Sequence, residues 1–296
     1  MKPMFSLRAL AVALFGVTGI IVISAQAAPQ SFTLDSSQSQ VTLAGKAVGF
    51  TFVEQGPGSL TTHYSGTVKA ELGASTIQFT GGSTIVAQTN GVWQPAAGGG
   101  AGNAPADYGA KANLGLGTAY TAMRNVVLDL TSAALNINNG NFDSTALVIS
   151  FPTNAHSVFD YNAGFVGTGS APLAGYSTNT LANGASLTMS AAGQKLTLHL
   201  DATYIFSLLS SNDSTLHMTG QLVATGAPPA VVIHSIVVSG STVTLAVDNA
   251  LTSSQLQGST NLVGWFPVNA TASTTGGVTT FTAPTGGPIE FFRVQK

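Results

Sequence analysis

Hydrophobic and polar residues alternate along most of the chain in short runs, which is the period of strands buried on one face. The clearest run is 196–201, where every leucine falls on one face, and it follows 187–189 closely enough to predict a hairpin. Similar alternation occurs at residues 39–43, 76–80, 124–130 and 216–222. Thr, Val and Ile are frequent in these runs, and their branched Cβ atoms favour strands. The pattern predicts an all-β protein, with helical turns expected only at 119–124 and 204–210.

A proline-containing segment, residues 225–230, divides the rest of the chain into two predicted domains. Its two consecutive prolines cannot donate hydrogen bonds in a sheet and stiffen the chain, which indicates a linker. Residues 28–224 are long enough for one large β-sandwich or barrel, and residues 231–296 for a small β-sandwich. Within the large domain, residues 94–109 are rich in Gly, Ala and Pro. This composition predicts a long loop, of the kind that is usually functional or mobile.

The first 27 residues have the pattern of a secretory signal peptide. Lys2 and Arg8 form a positive start, and residues 9–24 are uncharged and mostly apolar. An A-x-A cleavage sequence then ends at Ala27. The apolar stretch is shorter than the roughly 20 residues of a transmembrane helix. We therefore expect removal of residues 1–27, a secreted protein (extracellular, at the cell surface or periplasmic), and no membrane span in the mature chain.

The composition of the chain excludes several classes of function and says less about the fold. Only 7% of the residues are Asp, Glu, Lys or Arg, and nine Lys plus Arg make no basic surface for phosphates, so nucleic acid is not an expected partner. The 44% hydrophobic content argues against disorder. Cysteine is absent, which excludes disulfides, thiolate metal sites and a cysteine nucleophile. Because charged residues are so few, hydroxyl and amide side chains must supply most of the protein's solubility.

The C-terminal domain contains Ser-Thr-Asn-Leu at 259–262, then Trp265, and Phe-Phe-Arg-Val at 291–294. This pattern resembles a small immunoglobulin- or fibronectin-type module at the end of many secreted proteins of Verrucomicrobia-like bacteria. The resemblance implies an accessory β-sandwich. In a core of that size we expect Trp265 to fill the space between the sheets and one of the final phenylalanines to close it.

Five blocks of the large domain are distinctive in sequence. They are residues 34–39, 54–60, 93–95, 104–109 and 220–225. These blocks resemble uncharacterised secreted bacterial proteins that often end in a PEP-CTERM sorting tail. The resemblance implies export and names no activity. The chain departs from that pattern at its end, which has no Pro-Glu-Pro sequence, terminal apolar span or arginine cluster.

Two loop carboxylates, Glu54 and Asp107, are the candidate catalytic pair. Motifs for a serine nucleophile or a phosphate loop are absent from the sequence. A pair of carboxyl groups roughly 5 to 9 Å apart across a groove suits glycoside hydrolysis. We favour a structural interpretation, in which Asp107 caps a turn and Glu54 is solvated.

His199, Asp201 and His217 are candidate metal ligands, because alternation places them on the outer face of the sheet and neighbouring strands would let them converge. Histidines without a ligand spacing seldom bind metal, so we favour solvated side chains and expect no cofactor. Trp93 and Tyr108 are candidate ligand-binding residues, since exposed rings in loops stack on sugars. We favour the alternative that these rings are buried and anchor the loops.

These observations favour a non-catalytic secreted binding or structural protein, with extracellular polysaccharide or a surface protein as partner. A first alternative is a barrel that carries a small apolar ligand. The spacing of Asp35, Ser39 and Val41 resembles the opening strand of a lipocalin-like lipid-binding family, which implies such a barrel. A second alternative is a glycan-active hydrolase that uses Glu54 and Asp107.

Overall fold

The computed structural model describes residues 21–22, 28–73, 75–114, 117–164, 167–190, 193–228, 231–248, 250, 254–275, 278–284 and 291–295. The fold is all-β, as predicted, and the described residues contain no α-helix. The first strands are β1 (Ile21–Val22), β2 (Ala28–Leu34), β3 (Gln40–Ala47), β4 (Phe50–Thr51), β5 (Val53–Glu54), β6 (Thr61–Leu72), β7 (Thr76–Phe79), β8 (Thr84–Ala87), β9 (Gly91–Trp93) and β10 (Ala104–Ala106). The next are β11 (Tyr108–Asn113), β12 (Thr118–Arg124), β13 (Val127–Thr131), β14 (Leu135–Asn136), β15 (Asn141–Phe142), β16 (Val148–Ser150), β17 (Val158–Asn162), β18 (Thr168–Pro172), β19 (Ser177–Asn179) and β20 (Ala185–Ser190). The last are β21 (Gly193–Phe206), β22 (Ser214–Gly226), β23 (Val232–Ser239), β24 (Thr242–Asp248), β25 (Gln255–Ser259), β26 (Phe266–Pro267), β27 (Thr271–Thr275), β28 (Val278–Pro284) and β29 (Phe291–Gln295).

The chain forms two compact units that divide between Ala227 and Pro228. The large unit contains Ala28–Leu72 and Thr76–Ala227; the small unit is Met1–Ala27, Gly73–Ser75 and Pro228–Lys296. Residues 225–226, expected in the linker, are instead the end of β22, where they pair with β2. The predicted signal peptide lies outside the described residues except for β1, which pairs with β23. Among the described residues, no helix has the length and apolar character of a membrane span.

An antiparallel sheet of fourteen strands dominates the large unit. The hairpin predicted from 187–189 and 196–201 is confirmed by the pairing of β20 with β21. From β21 the sheet continues through β22 to β2 and β3, and then through β6, β8, β13 and β16 to β19. Just after β19, the Leu181 N–H donates to the Asp201 carbonyl at 2.8 Å. This bond joins the segment after β19 to β21, the strand from which this description of the sheet began.

Strict alternation produces the long strand β21. Its even-numbered residues, from Leu196 to Phe206, are all buried, because they face the core in the pleat. The helical turn expected from residue 204 is therefore wrong up to Phe206, where the alternation continues unbroken. The second expected turn, at 119–124, lies in β12. In both places the position of the residues in a buried pleat decides the structure.

A second sheet, in the order β18-β17-β12-β11-β5, shares one core with the first. Large aromatic side chains from both sheets fill this core. The fully buried ones are Phe32, Tyr64, Phe79, Tyr108, Phe151, Phe159 and Phe206. The buried side chains of the two sheets pack in one continuous cluster. The alternative of an apolar-ligand carrier stays a prediction.

Two glycines let strands of the large sheet cross closely. At Gly66, with φ of +111°, an added Cβ would lie 1.9 Å from the Thr84 carbonyl oxygen. At Gly220, with φ of +157°, it would lie 2.1 Å from the Gln40 carbonyl oxygen. Real Cβ atoms do not approach oxygen this closely, so only glycine allows these pairings.

The small unit contains the sheet β1-β23-β24-β28-β27 and the sheet β26-β25-β29. Its core is centred on Val243, Leu245 and Phe281, and Phe292 packs against it, as expected of a final phenylalanine. Trp265 was expected to fill this core. It is half-buried instead, under the Arg293 guanidinium, which lies 4.4 Å from the ring centre.

Candidate functional site

Four neighbouring strands of the large sheet, β21, β22, β3 and β6, direct polar side chains outward in register. One cross-strand row consists of Asp201, Thr219, Thr42 and Thr61. The next row consists of His199, Gln221, Gln40 and His63. Neighbouring strands lie about 4.8 Å apart, and alternate residues along a strand about 6.8 Å apart. These eight side chains form a regular polar surface, which we call the polar face.

The polar face exists because the intervening residues are buried. Leu198 and Leu200 lie inside β21, Val41 lies inside β3, and Tyr64 lies inside β6, each with 3% or less of its surface exposed. Their neighbours must then point outward, since side chains alternate along a strand. Alternation in the sequence correctly placed His199 outside. It missed Gln40 and His63, because strand order decides which outward residues become neighbours.

Hydrogen bonds hold several side chains of the polar face in place. The Thr42 and Thr61 hydroxyls lie 3.0 Å apart. Gln221 Nε2 donates to the Gln38 carbonyl at 3.1 Å. The side-chain oxygen of Gln221 takes no part in this bond. His63 Nδ1 lies 2.8 Å from the Ser36 carbonyl oxygen. The face is therefore partly organised before any ligand arrives.

Of the three candidate metal ligands, the structure brings two together. His217 Nε2 lies 2.8 Å from Asp201 Oδ1, and both side chains are about 40% exposed. His199 lies on the same face but opposite Gln221, and does not join them. Across the part of the chain that the structure describes, no three His, Asp or Glu side chains form a group able to hold a metal ion. The convergence that a metal site would need does not include His199, because register places it opposite Gln221 and His217 opposite Thr203.

Tyr108 is fully buried, so it lacks the exposed ring that the candidate ligand-binding role requires. It alternates with Ala110 along β11 toward the core, and its hydroxyl lies 2.9 Å from that of Tyr64. Burial raises the pKa of both phenols. Trp93 is half-buried, and its ring lies on β11 so closely that a Cβ at Gly109 would be 2.4 Å from it. Both rings anchor structure, as the favoured interpretation predicted.

The glycine-rich segment that follows Trp93 is held down at both ends by one side chain. We call residues 94–105 the strap. Arg124 Nε donates to the Pro105 carbonyl at 3.0 Å, and Arg124 Nη2 donates to the Pro95 carbonyl. A guanidinium has several donors in a rigid plane, which lets it hold two separate backbone carbonyls at once. The composition of residues 94–109 predicted a long functional or mobile loop. The strap is anchored instead, and residues 104–106 and 108–109 lie in β10 and β11.

Asp160 completes the attachment of the strap. It forms a buried ion pair with Arg124, in which the two side chains are 9% and 1% exposed. Its second oxygen accepts a hydrogen bond from the Gly98 N–H at 3.1 Å. Asn162 adds a bond to the Gly99 carbonyl at 3.1 Å. A buried ion pair and its hydrogen bonds to backbone therefore hold the glycine-rich strap against the sheet.

The two candidate catalytic carboxylates have separate surroundings and share no partner. Asp107 is buried and accepts hydrogen bonds from the Val126 N–H, at 2.8 Å, and from Thr89. Burial raises the pKa of Asp107, and these bonds offset the rise only in part. Glu54 is exposed and accepts from the Gly58 N–H at 3.1 Å. Glu54 is exposed, as the favoured structural interpretation has it, whereas Asp107 does not cap a local turn and instead holds backbone 19 residues away in sequence.

An open hollow of about 540 Å³ lies at the edge of the large sheet. It is lined by Asn138, Asn141, Phe142, Asp143, Asn183 and Gly184. Asp143 accepts bonds from the Thr145 N–H and hydroxyl at 2.9 and 2.8 Å, which lower its pKa. Four of these six residues are Asn or Asp, and the hollow is open to solvent.

The chain matches no family model, no curated protein and no solved structure. The resemblances drawn from short blocks of sequence therefore stay predictions. Among the groups described above, the polar face is the one that presents polar side chains outward in register across four strands.

Proposed function

We propose that the chain is a secreted, non-catalytic binding protein whose polar face holds extracellular polysaccharide. The observation that supports this most is the register of eight polar side chains in two rows across four strands. Hydroxyl, carboxamide and imidazole groups both donate and accept hydrogen bonds, as the hydroxyls of a sugar do. None of the eight is Lys or Arg, which favours a neutral glycan over an anionic one.

The dimensions favour a polymer over a single sugar. Each row crosses four strands and is about 14 Å long. Each hydrogen bond made in water contributes little by itself, about 1 kcal/mol. A polymer that contacts many equivalent groups gains affinity from their number, because the first contact raises the local concentration of the rest.

The number of carboxylates on the polar face favours binding of a glycan without hydrolysis. Glycoside hydrolysis ordinarily uses two carboxyl groups on either side of the bond. The polar face has one, Asp201, and that carboxylate is paired with His217. Glu54 and Asp107, the earlier candidates, each cap backbone elsewhere.

The remaining parts of the proposal concern architecture and export. We propose that the large sheet forms a barrel, which the bond between Leu181 and Asp201 supports by linking β19 back to β21. We also propose that the small unit is an immunoglobulin-like accessory module, and that the signal peptide directs secretion. In such a barrel the polar face would point outward and the buried cluster of side chains inward.

Retention on insoluble cellulose, chitin and xylan, and on isolated cell envelopes, tests the proposal. The protein is the mature chain from Ala28. In the double variant Gln40→Ala with Gln221→Ala we expect the dissociation constant to rise about thirtyfold, because two carboxamides that contribute about 1 kcal/mol each are lost. The matched control is Thr271→Ala with Ser273→Ala on the exposed strand β27, which should bind as the wild type does. A mature chain retained by none of these materials, or a double variant that binds unchanged, contradicts the proposal.

A further inference from the structure

The sequence contains three Asn-Gly pairs, at 90–91, 139–140 and 183–184. Asparagine before glycine is open to attack by the following backbone nitrogen, because glycine has no Cβ to screen that nitrogen. The reaction requires the side-chain carbonyl to reach the nitrogen. The structure holds the three pairs in different ways, so their reactivity should differ in the folded protein.

Asn183 is held in contact with the attacking nitrogen. The Gly184 N–H donates to Asn183 Oδ1 at 2.7 Å, which places the carbonyl carbon bonded to that oxygen beside the same nitrogen. Both residues are exposed. Gly184 has φ of +94°, and a Cβ there would meet nothing within 4 Å, so water reaches the pair freely. Because the side chain of Asn183 is already held next to the Gly184 nitrogen, the reaction does not have to wait for this conformation to form.

Asn90 is held away from reaction. Its Nδ2 donates to the Gly58 carbonyl at 2.8 Å and to the Thr61 carbonyl at 2.5 Å. The carboxamide must break both bonds before it can turn toward the nitrogen of Gly91. Two bonds of ordinary strength lower the reactive fraction about tenfold or more.

Asn139 lies in a closed turn. It has φ of +50°, and the backbones of Asn138 and Asn141 exchange hydrogen bonds of 2.7 and 3.0 Å on either side of it. The Gly140 carbonyl accepts a further bond from the Leu187 N–H at 2.7 Å. The ring closure has to distort this turn, which should slow the reaction relative to Asn183.

We propose that Asn183 is a site of spontaneous deamidation in the folded protein. The Gly184 nitrogen bonds to Asn183 Cγ, the bond from Cγ to the side-chain nitrogen breaks, and that NH₂ group leaves as ammonia with the proton from Gly184. Water then opens the resulting five-membered imide. Cleavage at Cγ gives aspartate, and cleavage at the backbone carbonyl gives isoaspartate. No oxidant or reductant takes part.

The product changes both the charge and the backbone of this region. A new carboxylate enters the hollow that already contains Asp143. Isoaspartate also adds one carbon to the main chain between Leu181, whose N–H closes the sheet on Asp201, and β20. The aged protein should therefore be more acidic, and in the isoaspartate form less stable.

Peptide mapping by mass spectrometry tests the proposal. The folded chain is incubated at mildly alkaline pH and physiological temperature, and conversion of NH₂ to OH is followed at the three asparagines. We expect Asn183 to react about tenfold or more faster than Asn90, with Asn139 between them. The control is the same incubation in urea, where the loss of structure should bring the three rates together.

Two variants separate the chemistry from the fold. Asn183→Ser should remove the acidic species that forms first on ion exchange. Asn183→Asp should reproduce its charge without the extra backbone carbon, which isolates the effect of isoaspartate on thermal unfolding. Equal rates at Asn183 and Asn90 in the folded chain, or the same ranking in urea, overturn the proposal.

Discussion

Removing one partner of the buried pair Arg124–Asp160 should destabilise the large unit strongly. Arg124→Met leaves Asp160 as an unpaired charge with 1% of its side chain exposed. Asp160→Asn leaves the Arg124 charge buried in the same way. Breaking a buried pair from one side costs about 3–5 kcal/mol, because the remaining charge has lost its solvation and its partner. Each single variant should fall in that range.

The double variant distinguishes an ion pair from two independent losses. With both charges gone, no unpaired charge remains, and the cost should not exceed that of the larger single variant. The sum of the singles would be about 6–10 kcal/mol, so the coupling free energy should be several kcal/mol. Additive losses would refute the view that the strap is held by a coupled pair.

Urea unfolding followed by tryptophan fluorescence measures these changes. The background variant Trp265→Phe leaves Trp93 as the fluorophore, and Trp93 lies at the start of the strap. Unfolding midpoints are compared at constant m-value. The matched control is Asp201→Asn, which breaks an exposed pair with His217 and should cost less than about 1 kcal/mol. Single variants of Arg124 and Asp160 as mild as this control would refute the reasoning.

Three further predictions concern other parts of the large unit. Gly66→Ala should cost at least about 2 kcal/mol in thermal unfolding, because the new Cβ meets a carbonyl, whereas Gly58→Ala, with open space around it, should cost about 1 kcal/mol from backbone strain. Although burial opposes the shift, backbone N–H donors lower the pKa of Asp213 from 3.8 to about 2, so its contribution is present above pH 3.8 and is lost as the pH falls toward 2. Asp213→Ala should cost about 1 kcal/mol at neutral pH, after allowance for solvent screening, and flatten the acid limb of the stability curve. Tyr64→Phe and Tyr108→Phe should each cost about 1–2 kcal/mol in urea unfolding, and the double variant less than their sum, because each single variant removes the hydrogen bond between the two hydroxyls and leaves one buried hydroxyl behind, which for Tyr108 retains only a long contact of 3.4 Å with the Val41 carbonyl.

The alternation of hydrophobic and polar residues was sufficient to predict the fold class and one local hairpin. It identified the hairpin of β20 and β21, and it placed His199, Asp201 and His217 on an outer face. These results depend on residues close in sequence or on the two-residue period itself. They need no knowledge of which distant strands meet.

Features that depend on long-range pairing could not be found in this way. The polar face brings β3 beside β22, two strands about 170 residues apart in sequence, and no local signal gives their register. The attachment of the strap depends on Arg124 and Asp160, which lie on neighbouring strands β12 and β17. A charged residue within an apolar run was the one available sign of Arg124. The partners of Arg124 are the carbonyls of Pro95 and Pro105. Their positions depend on the path of the strap, which local sequence does not give.

Because a single guanidinium fixes both Pro95 and Pro105, the exposed tip between them is a natural place for an inserted peptide. Gly102 has φ of +96°, and a Cβ there would meet nothing within 4 Å. A guest sequence at this position would begin and end on clamped backbone, so most of the cost of bringing its ends together is already met by the host. The molecule thereby offers a cysteine-free, β-sheet scaffold for displaying epitopes.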